Sequence, residues 1–315
     1  MRLFLLSGLL SIYSLLHGQT LPAITESEVS RIERTLSSDE MQGRQVFTTG
    51  IEKAAAFITR EFSNAGLKPL PGSKDYNQTF EMLEPEATEA AMTLNNATIE
   101  RKNLAVFSSE SSLKISQDDH YKKIYVKTSA DFGEIVIKYL ESEENVLILV
   151  DTSLAKKFSW LSNLHMPQFS GQGNHIYVLT SADPVQYRIE ITQKMTKKSL
   201  TNLIGIIPGK SKPEEYVIFS AHYDHLGIGR PDAAGDSIYN GANDDASGTT
   251  AVIALAGYFS KSRNNERTLI FAAFTAEEIG EFGSAYFSGK FNPEKVKAML
   301  NIEMIGTESK WGRNS

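Results

Sequence analysis

From Asn202 onward the chain alternates short apolar runs with helical stretches, and that alternation limits the folds open to it. "NLIGIIPG" and "YVIFSA" precede a helical stretch from about Ser247 to Ser260; "TLIFAAFTA", a short helical stretch near Ser284 to Ser288, and "VKAMLNIEM" follow. Strands that are apolar almost throughout must be covered on both faces, and the helices between them supply the cover. The expected fold class is α/β, with a mostly parallel or mixed central sheet flanked by helices.

The amino-terminal part adds two helices. Thr25 and Glu28 have capping-box spacing, and Val29, Ile32 and Leu36 follow at helical intervals, which predicts a helix to about Ser37. Thr49 and Glu52 repeat the box, Ile51, Ala55, Ile58 and Phe62 make one apolar stripe, and Gly66 supplies the stop. Residues 85–196 read differently, as short alternating segments such as "KKIYVKT" and "NVLILVD" between polar turns. They are expected to form an inserted subdomain, with the main domain split into 19–84 and 197–315.

Composition excludes several classes of function. The 315 residues, 41% of them hydrophobic, suffice for a large core, while a net charge of −6 without a long basic block argues against nucleic acid as partner. The chain has no Cys, so disulfides and thiolate ligands are excluded and any metal must sit on His and carboxylates. At the N-terminus, Arg2, the apolar stretch from Leu3 to Leu16 and the small Gly18 read as a cleaved secretory signal, residues 1–18. The apolar stretch is short of the ~20 residues that span a bilayer, so no stable membrane anchor is expected after cleavage. The expected location is secreted or periplasmic.

Three apolar runs end in polar clusters. "YVIFSA" leads into His222, Asp224 and His225, "TLIFAAFTA" into Glu277 and Glu278, and "KAMLN" into Glu303. In open α/β sheets the ligand crevice lies at the carboxyl ends of the strands, so the clusters converge on one rim. A fourth piece, "GANDDASGTT", carries Asp244 and Asp245 just before a helix. Each piece alone also has a plain structural reading: a helix cap for Asp244 and Asp245, a hydrogen-bonded His222, a solvated turn for Glu277 and Glu278. Glu303 is harder to dismiss, because it interrupts an apolar strand and a buried carboxylate there must be paired or metal-bound.

Together the pieces form an oxygen-rich set with one imidazole, suited to zinc or a similar divalent ion, and with shared carboxylates to two ions. Such a centre lowers the pKa of a water and clamps a developing oxyanion, which is hydrolytic chemistry, and one acid must stay uncoordinated to take the proton. Glu277 and Glu278, adjacent in extended backbone, can divide these roles. No G-x-S-x-G, H-E-x-x-H or H-x-x-E-H motif competes.

The order H-x-D, G-A-x-D-[DN]-A-S-G, E-E and N-x-[DE]-M-x-G resembles the secreted di-zinc aminopeptidases related to bacterial leucyl aminopeptidase, aminopeptidase S and glutamate carboxypeptidase, with glutaminyl cyclase as a mononuclear cousin. The resemblance covers 197–306 and also 36–84, where "LSSDEMQGR" and "GIEKAAAFITREFSNAGLKPL" look like the family's opening. It implies a zinc-exopeptidase fold of the phosphorylase/hydrolase-like type and removal of N-terminal residues from peptides by a metal-bridging hydroxide. It also implies two zinc ions, with His222, Asp244, Glu278 and Glu303 as ligands, Asp244 bridging. Glu277 would be the general base and Asp224 the carboxylate that orients the His222 ring. His225 receives no role. The Asp244–Asp245 bond is expected to be cis.

Two departures follow from the same resemblance. Glu303 stands where the family usually has Asp, and the family's last ligand is a His downstream of this position. No His follows Glu303, and His17, His120, His165 and His175 do not match that place. The expectation is a peptidase domain incomplete at its C-terminus. A glutaminyl-cyclase-like acyltransferase with one zinc, or a receptor-like module without metal, are the alternative readings.

Overall fold

The computed structural model describes residues 23–139, 142–164 and 166–308. The expected signal segment at 1–18 lies outside them, as do His17 and His165.

Two helices open the fold. α1 (Glu26–Leu36) starts at Thr25, whose Oγ1 accepts the Glu28 N–H at 3.3 Å. α2 (Thr49–Asn64) is capped one residue earlier than the spacing predicts: Thr48 is the last extended residue, and its Oγ1 accepts the Gly50 N–H at 3.2 Å.

The central sheet is mixed. Its long strands are β1 (Asn77–Leu94), β2 (Tyr187–Ile207), β3 (Lys212–His222), β4 (Arg267–Phe274) and β5 (Val296–Asn301), in the spatial order β5-β3-β4-β2-β1. β3 runs parallel to both β4 and β5, while β2 is antiparallel to β4 and to β1. The parallel neighbours put the carboxyl ends of β3, β4 and β5 on one rim. α3 (Ser247–Ser262) and α4 (Phe282–Ser288) provide the crossovers that parallel pairing requires.

Both faces of this sheet are covered. On one, Ile32, Leu36, Phe57, Ile58 and Phe62 of the first two helices meet Val252 and Ile253 of α3 and Leu203, Phe219 and Phe271 of the strands. On the other, Ile204, Ile218, Ile270 and Phe274 pack with Phe287 of α4. Each such side chain contributes roughly 1.5–3 kcal/mol on burial. The Arg31–Glu61 ion pair joining α1 to α2, with Arg31 half exposed, contributes at most about 1 kcal/mol. Apolar contact therefore holds the helices to the sheet.

Residues 77–94 and 187–207 show how far local pattern carries. β1 and β2 pair from Asn77↔Leu203 to Leu94↔Tyr187, with one irregularity between Pro85 and Ala87, where a proline is tolerated because the ladder is already broken. Both strands run through the junctions expected at 84/85 and 196/197. The first half of β2 alternates buried and exposed residues, and the second half, from Asn202 on, is almost wholly buried. One strand thus passes from a half-covered sheet into a doubly covered one, and the change of pattern accounts for its reading as separate segments. Beyond it, strands Leu104–Phe107, His175–Leu179, Val146–Val150 and Lys122–Val126 form a second sheet in that order. Among the described residues no helix is long and apolar enough to cross a membrane.

Candidate metal centre

The rim is built from four segments. β3 ends at His222, and the turn after it is pinned by Tyr223, whose N–H donates to Phe274 O at 2.9 Å and whose hydroxyl donates to Thr201 O at 2.6 Å. Asp224 comes next and is fully buried. Its Oδ1 accepts the Glu277 N–H at 3.2 Å and its Oδ2 the Glu278 N–H at 3.3 Å, so this carboxylate fixes the turn after β4. Toward His222 the nearer group is the Asp224 carbonyl, 3.2 Å from Nδ1, with carboxylate Oδ1 at 3.6 Å. A neutral imidazole that donates from Nδ1 to that carbonyl leaves its lone pair on Nε2.

The third segment, Ala242–Ala246, leads into α3, and its Asp244–Asp245 peptide bond is cis. Asp245 Oδ1 accepts the N–H of Gly248 at 2.9 Å and of Met304 at 3.2 Å, and Oδ2 the N–H of His222 at 3.3 Å. The fully buried Asp245 therefore ties together the end of β3, the start of α3 and the stretch after β5. A Cβ on Gly248 would lie 2.0 Å from Ile302 O, which is why glycine stands there. Capping and site formation are divided between the two acids, with Asp245 capping and Asp244 left to face the rim.

The fourth segment corrects one expectation. β5 ends at Asn301, the Ile302 N–H donates to Ser220 O at 2.8 Å as the last ladder bond, and Glu303 follows as an exposed residue in the irregular stretch after the strand. It does not interrupt the strand and is not buried, so the argument from burial falls. Its position on the rim stands.

Among the described residues the donors gather in two groups. His222, Asp244 and Glu303 each place one ligating atom within 4.8 Å of the others, and His225, Asp244 and Glu278 do the same. Asp244 belongs to both. His222 Nε2 lies 3.1 Å from Asp244 Oδ1 and 3.8 Å from Glu277 Oε2, is buried, and makes no hydrogen bond. A buried imidazole nitrogen left unsatisfied beside carboxylates fits an ion between them. Glu277 belongs to neither group and faces His222. His225, which the sequence left without a role, sits with Nδ1 2.6 Å from Glu278 Oε1. Its spacing of three residues from His222 was the available signal, but its direction depends on the turn.

The electrostatics are those of clustered carboxylates around a buried imidazole. Burial works to lower the His222 pKa, but the neighbouring Asp224 carboxylate and the charges of Asp245 and Glu277 outweigh it and push it up to about 9. Burial raises Asp245 to about 7, against the opposing pull of His222 and three main-chain N–H groups. Glu277 is also raised, by burial first, with Asp224, Glu278 and Glu303 adding like-charge repulsion against the attraction of His222. A general base needs a shift in this direction to work near neutral pH.

Parts of the chain are similar to known proteins. Residues 202–311 match peptidase family M28. A probable zinc metalloprotease of Leptosphaeria maculans is 32% identical over 136 residues, 42% of this chain and 30% of that protein. Aminopeptidase YwaD of Bacillus subtilis is 31% identical over 116 residues, 36% of this chain and 23% of that protein. Among solved structures, a zinc aminopeptidase from Bacillus subtilis aligns over 92% of this chain and 71% of its own, at 19% identity and a TM-score of 0.49. The matched stretch spans under a third of the length of the first two relatives.

Proposed function

From a chain that is a relative of the zinc aminopeptidases, its residues 202–311 matching peptidase family M28, we propose a zinc-dependent exopeptidase that hydrolyses N-terminal residues from peptides. The observation that carries this reading is Asp244 standing in both donor groups, with His222 and Glu303 on one side and His225 and Glu278 on the other. A carboxylate shared in this way suits a pair of neighbouring ions.

In this reading His222, Asp244 and Glu303 would hold one zinc, and Asp244 and Glu278 the other. Zinc, when bound, supplies Lewis acidity that acidifies a water and polarises the scissile carbonyl. Glu277 takes the proton of the attacking water on its carboxylate and returns it to the leaving amine. Its raised pKa supports that role, since a carboxylate that binds a proton too weakly cannot take it from the attacking water. Asp224 holds Glu277 and Glu278 in place through their main-chain N–H groups.

The proposal includes residues 1–18 as an export signal to the cell exterior or periplasm, supported by Arg2 and the apolar run behind it, and residues 85–196 as an insertion on the peptidase domain. Zinc analysis of the purified protein, with cleavage of aminoacyl-anilide substrates before and after chelation, tests the reading. Two equivalents of zinc and activity lost on chelation and regained with zinc are expected; a protein that binds no zinc overturns it. The exposure of Glu303 favours one second reading, a mononuclear acyltransferase resembling glutaminyl cyclase. A single equivalent with cyclisation of N-terminal glutamine and no hydrolysis would establish it instead.

A further inference from the structure

Arg44 ends the segment "LSSDEMQGR" and is not among the donors of the centre, yet it is fully buried against it. Its Nε donates to Tyr223 O at 2.9 Å, Nη1 to Leu36 O at 2.6 Å and Asn240 O at 2.7 Å, and Nη2 to Gly241 O at 2.9 Å and Asp244 O at 3.5 Å. A guanidinium has five N–H donors in one plane, and here each meets a main-chain carbonyl. Tyr223 lies between His222 and Asp224; Gly241 and Asp244 bracket the turn that delivers the shared acid. The main-chain carbonyl of Arg44 in turn accepts the His225 N–H at 3.2 Å.

The backbone is bent to achieve this. Arg44 has φ 51°, a left-handed conformation that costs a non-glycine residue about 1–3 kcal/mol and persists where the surroundings impose it. Gly43 before it has φ 66°, and a Cβ there would lie 2.5 Å from the carbonyl oxygens of Gly227 and Tyr239. Among the described residues no carboxylate pairs with the guanidinium directly, although Asp224, Glu33, Asp245 and Asp244 all lie near enough to act on its charge.

We propose that Arg44 is a positioning residue of the metal centre, whose planar fork fixes the turn of His222 and Asp224 against the turn of Asp244 and so sets the distance between ligands on different segments. The inference rests on the metal-dependent reading above. It requires the fork and not the charge alone, because a lysine ammonium has three donors on a flexible stem and cannot span the same carbonyls.

Arg44→Lys and Arg44→Met in the full chain test it. Far-ultraviolet circular dichroism of the metal-free proteins reports folding, competition with a chromophoric chelator reports zinc affinity, and the visible absorption of the Co²⁺-loaded protein reports ligand geometry. The expected result is native dichroism in at least one variant, zinc held about 10- to 100-fold more weakly, and displaced Co²⁺ bands that lysine does not restore. Parental affinity and spectrum in a folded variant, restoration of both by lysine, or failure of both variants to fold would each overturn it. A parental protein that binds no zinc is recognised before any variant is made, and removes the metal reading itself together with this one.

Discussion

His225 Nδ1 lies 2.6 Å from Glu278 Oε1, across fifty-three residues of chain, and brings an imidazole into the group formed by Glu278 and the shared Asp244. That contact either orients the Glu278 carboxylate or adds a nitrogen beside it, and both stabilise an ion at that end of the site. His225→Ala is expected to weaken the second zinc by about 10- to 100-fold while the first stays bound. Zinc titration showing both equivalents at parental affinity would refute this.

Glu277 stands outside both donor groups, so its removal separates chemistry from metal binding. Glu277→Gln keeps the shape and loses the proton acceptor, and should lower kcat by about 10²- to 10⁴-fold with zinc content unchanged. Steady-state kinetics paired with metal analysis check this; a large loss of zinc would place Glu277 among the ligands.

Zinc binding should release protons. With its pKa pushed up to about 9, His222 is protonated at pH 7 in the metal-free protein, and its Nε2 must lose that proton to coordinate. Calorimetry in buffers of different ionisation enthalpy should show proton release at pH 7, and the contribution of His222 should vanish as pH rises past about 9. Equal heats in all buffers at pH 7 would contradict the assignment.

Asp245 makes the metal-free fold sensitive to pH in one direction. Its folded pKa, about 7, lies above its ordinary value of 3.8, so the stability it contributes is complete at acid pH, below that ordinary value, and is lost as pH rises through 7. Thermal unfolding of the metal-free protein should show this loss between about pH 4 and 7, levelling off above it. Asp245→Ala should flatten that part of the profile, and should also destabilise the protein at pH 5 by about 1–3 kcal/mol, because the N–H groups of Gly248, Met304 and His222 lose their acceptor. A parental profile that is flat, or that rises with pH, would exclude a raised Asp245.

Periodicity alone was enough to read α1, α3 and the strands β3 to β5, because each buries a face whose spacing is written locally. It was also enough to place His222, Asp224, Glu277, Glu278 and Glu303 at one rim, since parallel strands joined by helices bring their carboxyl ends together. The pair Asp244 and Asp245 was legible as a motif, and its resemblance to a peptidase element pointed to zinc. What the chain could not declare by itself lies in the turns. A turn residue has no period, so the direction of His225 is set by how Tyr223 is pinned to Phe274 and Thr201. Nor could spacing show that Asp224 holds the Glu277–Glu278 turn, that Asp245 gathers N–H groups from three elements, or that Arg44 joins carbonyls up to 200 residues away. Those are bonds between main-chain groups common to every residue, and only the packing of the sheet against its helices decides which of them meet.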